Sequence, residues 1–210
     1  MALIVDAISN SGAKTSVSSI TVPHVCTGNN LVLVVCVGTG NVSQAVTGVT
    51  YDGVAFTKID SCFTTSEVTR SEMWYLKNPS TGTHNIVVTL AGTATRAGVG
   101  AISFISSDQY NPINISSVVS SEAGTPSTSV TTTSVNTYLV DSLYHGDTGS
   151  SPNGSQTQIC KFDISGQDSY GASYKALAAA GVGTMAWTNA GHYSHVVAAV
   201  QEGHGKGYII

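Results

Sequence analysis

Short apolar segments recur along this chain, and clusters of Asn, Gly, Ser and Thr separate them. Several segments alternate between apolar and polar positions, which is typical of β-strands with one buried face. A long series of such segments predicts an all-β protein, and we expect a two-sheet antiparallel β-sandwich with a jelly-roll-like arrangement. The predicted strands cover 3–7, 17–25, 31–37, 46–51, 54–59, 68–76, 84–90, 97–105, 115–120, 128–135, 137–145, 156–162, 170–178, 182–188 and 193–201.

One hairpin is clearly recognisable in the stretch VTGVTYDGVAFTKID, residues 46–60. The pair Asp52-Gly53 suits the two positive-φ positions of a type I′ turn, and β-branched and aromatic residues flank it. The stretch therefore predicts two antiparallel strands joined by a two-residue turn.

Three further stretches predict how strands are buried. In TYLVDSLYH, residues 137–145, we expect one buried face and a position near the edge or end of a sheet. In SEMWYLKN, residues 71–78, both faces are apolar, which predicts a central strand or one covered by another subunit. The stretch SYKALAAAG, residues 173–181, contains helix-favouring Ala and Leu before a Gly, so a helix is an alternative to a strand there.

The chain length allows one large all-β domain or two small ones. The stretch at 120–137 is rich in Ser and Thr and could be a linker between two domains. Because Thr favours strands and the end of this stretch alternates, we interpret it as a loop followed by a polar edge strand. We therefore predict a single β-sandwich domain over 1–202 and a Gly-rich C-terminal tail over 203–210, with a division at 120–137 as the alternative.

Composition limits the classes of partner. Only 10% of the residues are charged, against roughly 25% in an average soluble protein. A surface with so few ions repels its own copies weakly, which suits a protein that packs against neighbours, although a domain with a plain polar coat has the same composition. The net charge is −4 and no basic run is present, so nucleic acid is not an expected partner.

No apolar stretch approaches the roughly 20 residues of a membrane span. The first residues, MALIVDAISNSGAK, have no basic leader and only a short apolar piece, unlike a signal peptide. We therefore expect synthesis in a cytoplasm and no membrane partner.

The chain has four cysteines, and no two of them form a CxxC motif. They are Cys26, Cys36, Cys62 and Cys160. We expect free structural thiols, with a disulfide or a metal site as alternatives. No cofactor and no metal are predicted.

Histidine pairs are the first candidates for chemistry. His192 and His195 would share one face of a helix but lie on opposite faces of a strand, so the strand prediction argues against a metal site there. His24 and Cys26 share a strand face, which is more often packing than ligation. His145 lies near Asp147, but no nucleophile elbow accompanies them.

Carboxylates offer the second route to catalysis, because a glycosidase needs two of them across a cleft. A sandwich could bring one carboxylate from the first half of the chain opposite one from the second half, but no spacing matches a calcium loop. We predict that the protein is not an enzyme. The candidate carboxylates are Asp60, Glu67, Glu72, Asp141, Asp147, Asp163 and Asp168.

Four motifs follow one another over roughly 1–145: V-T-Y-x-G at 49–53, W-Y-L at 74–76, P-x-x-G-x-H at 79–84 and D-Q-x-x-P at 108–112. In these motifs the chain resembles a diffuse group of β-sandwich structural proteins encoded by tailed bacteriophages and environmental bacteria. The resemblance implies a capsid decoration (cement) protein, with a tail or fibre component as the alternative. It carries over no active site.

The resemblance also implies a homo-oligomer, by analogy with trimeric cement proteins, that binds the major capsid protein or another virion protein. The protein would be made in the host cytoplasm and located in the virion. We expect the apolar tip Tyr208, Ile209 and Ile210 to contact the partner, and Trp74 or Tyr75 as second choices. A carbohydrate-binding adhesin module is a further alternative, with loops 108–112 and 145–155 as its candidate site.

Overall fold

The computed structural model describes residues 2–40, 44–64 and 69–203, and these form fifteen strands. The all-β prediction is confirmed, and every pair of named strands is antiparallel. The strands are β1 Ile4–Asn10, β2 Lys14–Cys26, β3 Val32–Thr39, β4 Val46–Tyr51, β5 Val54–Ala55, β6 Thr57–Phe63, β7 Arg70–Lys77, β8 Gly82–Ile105, β9 Ile113–Ser121, β10 Ser127–Thr132, β11 Thr137–His145, β12 Thr157–Ile164, β13 Asp168–Leu177, β14 Gly181–Ala186 and β15 Tyr193–Val200.

The predicted turn is confirmed, but the strand predicted at 54–59 is divided, because only Val54–Ala55 pairs with β4 whereas Thr57–Phe63 forms β6 and pairs with β7. Thr50 pairs with Ala55 and Tyr51 with Val54, which leaves Asp52 and Gly53 as the turn. Their φ angles are 50° and 77°, so both residues lie in the left-handed region that a type I′ turn requires.

The longest strand, β8, joins two layers of the first sheet. The sequence predicted separate strands at 84–90 and 97–105, but the chain stays extended between them. The first half of β8 pairs with β4 and most of β2, and the second half pairs with β3 and β1. The sheet therefore folds over along β8. Its outer layer is β5-β4-β8-β2, and its inner layer is β1-β8-β3-β7-β6.

Two hydrophobic clusters lie on either side of the inner layer. Tyr51 and Ile86 from the outer layer share one cluster with Val35 from β3. The opposite face of the inner layer packs on a second sheet, of order β12-β13-β11-β15-β9, and Val34 there shares a cluster with Tyr170. The inner layer is thus buried on both faces, as predicted for β7 from its two apolar faces.

A third sheet, formed by β10 and β14, covers the outer face of the second sheet. Val130 and Met185 pack on Leu139 and Val197, and Trp187 packs on Leu143. The described residues therefore form three sheets in four layers, where the sequence predicted two sheets.

This cover also corrects the prediction for β11. The sequence placed it near an edge with one buried face, but it lies between β13 and β15 and is buried along both faces except at Tyr138. The third sheet covers the face that the prediction left open, so Leu139 and Leu143 of β11 are buried beneath it.

The chain near 173–181 and 120–137 adopts strands. β13 continues to Leu177 and a turn ends at Gly181, so the helix alternative is wrong. The stretch at 120–137 supplies the end of β9 and the alternating strand β10, and it is not an extended linker. Among the residues described, no helix is long and apolar enough to cross a membrane.

Two glycines opposite each other in β3 and β8 let the second sheet approach closely. Gly38 pairs with Gly98 in register, and the ring of Tyr170 lies over both. A β-carbon on Gly38 would lie 2.1 Å from Cδ2 of Tyr170, and one on Gly98 would lie 2.5 Å from Cδ1. The glycines therefore form a slot for this aromatic ring.

Candidate functional site

Of the five residues predicted to bind a partner, the structure describes only Trp74 and Tyr75. Tyr208, Ile209 and Ile210 lie outside the residues that the structure describes. Trp74 is 9% exposed and belongs to the core between the outer and inner layers, while Tyr75 is half-buried against the other core cluster. Trp74 therefore offers little surface to a partner.

His192 and His195, which were compared as a metal-binding pair, lie in different surroundings. His195 is buried in β15, whereas the ring of His192 lies against Gly146 in a loop. In the described parts of the chain, no group of three or more His, Cys, Asp or Glu side chains could hold a metal ion. Of the carboxylate candidates, Glu67 lies outside the described residues.

A buried hydrogen-bond network surrounds Asp141 of β11, which is fully buried. Asp141 Oδ1 accepts hydrogen bonds from the backbone N and the Oγ of Ser173, both at 2.7 Å. Asp141 Oδ2 accepts from Trp187 Nε1 at 2.8 Å and lies 3.1 Å from His195 Nε2. His195 Nδ1 lies 2.9 Å from Thr128 Oγ1 on β10.

Thr128, His195 and Asp141 thus have the order of a hydroxyl, imidazole and carboxylate in a catalytic triad. All three side chains are at most 2% exposed, and they lie between the second and third sheets. A nucleophile needs a place for the reacting atom beside it. The enclosed network instead connects the third sheet to the second, because each of its polar groups is satisfied by a group on a neighbouring strand.

A second buried chain of hydrogen bonds passes through His24. Ser103 Oγ donates to Asp6 Oδ2 at 2.8 Å and lies 3.0 Å from His24 Nε2, while Ser9 Oγ lies 2.8 Å from Nδ1. Because the Ser103 proton goes to Asp6, Nε2 donates to Ser103 and Nδ1 accepts from Ser9. This arrangement holds a neutral imidazole, and burial lowers the pKa of His24 from 6.5 to about 4.

We expect acid to destabilise the protein through His24. Its pKa is lower in the folded protein than in the unfolded chain, so between pH 6.5 and 4 the unfolded chain binds more protons. Above pH 6.5 the protonation of His24 does not affect the free energy of unfolding. As the pH drops from 6.5 to 4, the free energy of unfolding falls by about 3 kcal/mol. Urea unfolding across this pH range measures the effect.

The matched variant is His24→Gln, whose amide can bond to Ser9 and Ser103 but does not titrate in this range. Its free energy of unfolding should fall less steeply between pH 6.5 and 4 than that of the wild type. Equal slopes in the two proteins would contradict the assignment of the effect to His24.

Glu72 and the four cysteines are further buried groups with structural surroundings. Glu72 is 1% exposed, and its carboxylate receives Lys58 Nζ at 2.6 Å, Arg70 Nη1 at 3.2 Å and the backbone N of Val46 at 2.9 Å. All four cysteines are buried and free, which agrees with the predicted thiols. Burial raises the pKa of the Cys160 thiol to about 12, which makes it a poor nucleophile.

The strongest candidate for a contact surface is the turn at 108–112, which we call the Tyr110 turn. Asp108 Oδ1 accepts the backbone N–H groups of Tyr110 and Asn111 at 2.7 and 2.9 Å. Gln109 Nε2 donates to Ser107 Oγ at 2.7 Å. The side chain of Tyr110 is nevertheless 94% exposed, so a constrained backbone presents a free aromatic ring.

Gln201 fixes the Tyr110 turn to the end of the second sheet. Its backbone N donates to Pro112 O at 3.0 Å, and its backbone O accepts from the N of Asp108 at 3.1 Å. Its Oε1 accepts from Asn114 Nδ2 and Ser134 Oγ at 3.0 and 2.8 Å. Next to it, Gly203 N donates to Ser106 O at 2.8 Å. The predicted tail therefore starts beside the Tyr110 turn.

The sequence indicates 108–112 as a candidate loop of the adhesin alternative, because a Tyr with neighbouring Asn and Asp can hold a sugar ring. It did not find Gln201, since one Gln after an apolar strand carries no distinctive pattern. The adhesin alternative also named loop 145–155. That loop is held by Gly149 N donating to Asp163 Oδ1 at 3.0 Å and by Ser150 Oγ donating to Thr188 O at 2.7 Å.

No protein-family model, no curated protein and no solved structure matches this chain. The resemblance to virion proteins of tailed bacteriophages therefore stays a prediction.

Proposed function

We propose that this protein is a non-enzymatic structural protein of a virus particle, and that it decorates the major capsid lattice as a homo-oligomer. The observation that carries the proposal is the Tyr110 turn, where a constrained backbone holds a ring that is 94% exposed. Tyrosine supplies a large contact area at low conformational cost and is enriched at the energetic centres of interfaces. The jelly-roll-like topology and the trimer expected from the sequence belong to the same proposal.

The distribution of polar groups supports a role without catalysis. The carboxylates and imidazoles with the most specific hydrogen bonds, Asp141, His195 and His24, are at most 2% exposed. They connect strands and sheets and do not line a cleft. A protein that has to remain rigid while it binds a lattice benefits from such connections, because satisfied buried networks specify one arrangement of the core.

The test uses particles of the virus that encodes the chain, prepared with and without its gene. Purified protein should bind the deficient particles saturably, at a constant number per lattice point. We expect Tyr110→Ala to lower the affinity by about thirtyfold, because loss of a central aromatic contact costs about 2 kcal/mol. Tyr110→Phe should retain most of the affinity, and quantitative electrophoresis of sedimented particles measures both.

Val118→Ala is the matched control, because Val118 is an exposed apolar residue on β9 outside the Tyr110 turn. It should bind like the wild type. Deletion of 204–210 tests the predicted tail contacts separately, and unchanged occupancy after that deletion would reject them. Absence of the protein from particles, together with no binding to deficient ones, would reject the decoration role; its presence on tails would select the tail alternative.

A carbohydrate-binding module is the second candidate, because Asn111 is exposed next to Tyr110. An aromatic ring beside an amide can stack on a sugar ring and bond to its hydroxyl groups. A glycan array distinguishes the two functions. Specific binding that Tyr110→Ala removes would support the module, whereas a decoration protein should give no specific signal.

A further inference from the structure

The loop between β11 and β12 contains Asn153-Gly154, which is the only Asn-Gly pair in the sequence. Both residues are exposed. Within the described residues, neither the side-chain amide of Asn153 nor the backbone N–H of Gly154 makes a hydrogen bond. The amide carbon Cγ of Asn153 and the nitrogen of Gly154 are therefore both accessible for a reaction with each other.

The backbone on both sides of this pair is fixed. Pro152 forms a β-bridge with Trp187. Asn153 N donates to Ala186 O at 3.0 Å, and Asn153 O accepts from Gln156 N at 2.9 Å. The pair therefore lies in a short turn whose start is attached to the end of β14.

Gln156 connects this turn to both the third and the second sheet. Its Oε1 accepts from Ala186 N at 2.7 Å, and its Nε2 donates to Ser173 Oγ at 2.8 Å. Ser173 also donates to Asp141, the centre of the buried network. The position of Gln156 depends on the length of the backbone between it and the β-bridge.

We propose that Asn153 deamidates spontaneously and that the isoaspartate formed there loosens the third sheet. Gly154 N loses its proton, and its electron pair then forms a bond to Cγ of Asn153. The bond from Cγ to the side-chain nitrogen breaks, and that nitrogen takes up a proton and leaves as ammonia. Water opens the resulting succinimide ring at either carbonyl, which gives aspartate or isoaspartate. The net reaction converts an amide and water into a carboxylate and ammonium, without an oxidant.

The residues that follow the other Asn side chains explain why Asn153 is the site. Gly154 has no β-carbon to hinder ring closure, whereas a residue with a β-carbon follows every other Asn. Asn78 and Asn111 precede Pro, whose nitrogen has no proton to lose. The side-chain amides of Asn136 and Asn189 already donate hydrogen bonds. We therefore expect Asn153 to react before any other Asn.

Isoaspartate changes the main chain as well as the charge. The main chain then passes through Cβ and Cγ of residue 153, so it is one methylene longer between Pro152 and Gln156. The carbonyl that accepts from Gln156 N becomes part of a free carboxylate. We expect Gln156 to lose its fixed position against Ala186, which weakens the connection between the third sheet and the second. The inference goes beyond the proposed function and does not need it.

The test starts with incubation of the full chain at mildly alkaline pH. Peptide mapping by mass spectrometry, with synthetic aspartate and isoaspartate peptides as standards, should find both products at 153. Gly154→Ala should slow their formation at least about tenfold, because a β-carbon hinders ring closure. The turn accepts this alanine, since a β-carbon at Gly154 meets nothing within 4 Å and the site has no positive φ.

Amide hydrogen exchange at Ala186 measures the effect on the third sheet. It should be at least about fivefold faster in the purified isoaspartate form than in the unmodified protein. Freshly prepared Asn153→Asp is the matched control, because it has the new carboxylate on an unchanged backbone, and it should exchange like the unmodified protein. Absence of both products at 153 overturns the inference, and so does formation at the same rate in Gly154→Ala. Equal exchange in the isoaspartate form and the unmodified protein overturns the effect on the third sheet.

Discussion

Asp141→Ala should destabilise the protein by about 3–5 kcal/mol, because the carboxylate is buried and its loss leaves other buried polar groups without partners. Trp187 Nε1 loses its acceptor, and His195 loses the carboxylate 3.1 Å from its Nε2. The cavity left by the side chain adds to the cost. Urea unfolding followed by tryptophan fluorescence measures the change in the free energy of unfolding.

Asp141→Asn separates volume from hydrogen bonding at the same site. The amide oxygen can still accept both hydrogen bonds from Ser173, but the amide NH₂ then faces the N–H of Trp187. We expect a loss of about 2–3 kcal/mol, since one buried donor remains unsatisfied. In the Asp141→Asn variant, amide hydrogen exchange should speed up more in β10 and β14 than in β3, relative to the wild type. The reason is that the network connects the third sheet to the second.

Asp147→Ala is the matched control for these variants. Asp147 is exposed, and its Oδ1 accepts from the backbone N of Thr148 at 3.0 Å. Its removal should change the free energy of unfolding by no more than about 0.5 kcal/mol, which is usual for surface positions. Equal losses for Asp141→Ala and Asp147→Ala would contradict the role of the buried network.

Gly38→Ala is the second substitution with a large expected effect. A β-carbon there would lie 2.1 Å from Cδ2 of Tyr170 and 2.8 Å from Cδ2 of Tyr144. The rings are held between two sheets, so the backbone or the rings must move, and we expect a loss of about 3 kcal/mol. Thermal and urea unfolding measure it.

Two further variants keep this prediction testable. Gly48→Ala is the control, because a β-carbon at Gly48 meets nothing within 4 Å and the site has no positive φ; its stability should change by less than about 0.5 kcal/mol. The double variant Gly38→Ala, Tyr170→Leu should lose less free energy of unfolding than the sum of the losses in the two single variants. The smaller side chain at 170 relieves the overlap with the new β-carbon. Additive losses would show that the ring and the glycine are not coupled.

The strands of this protein could be predicted because their signals are local. The type I′ turn at Asp52 and Gly53 and the bounds of β4 and β11 follow from turn residues and alternation alone. The layers could not be predicted, because they depend on which strands pair over long separations. The continuity of β8 and the separate sheet of β10 and β14 are tertiary properties, and the third sheet encloses polar positions such as Asp141.

For the candidate site, the sequence indicates the turn at 108–112 but not the residues that support it. A Tyr with neighbouring Asp and Asn at 108–112 indicates a loop for the carbohydrate-binding alternative, and Tyr110 is exposed; the sequence does not predict it as a contact with a virion protein. The support from Gln201 brings together residues far apart in sequence, which no spacing rule indicates. Trp74, chosen as an aromatic in an apolar strand, is buried, because a strand with two apolar faces does not reveal which face a partner could reach.

The fold-over strand β8 also has a consequence for synthesis on the ribosome. β1, β2 and β4 each take their main partner from β8, and β3 takes one of its two partners from it. The outer layer cannot close until the first half of β8 has left the exit tunnel, and the inner layer cannot close until residue 105 has followed. Until then the apolar strand β3 has only β7 to pair with, so during translation this segment has the greatest need of a chaperone.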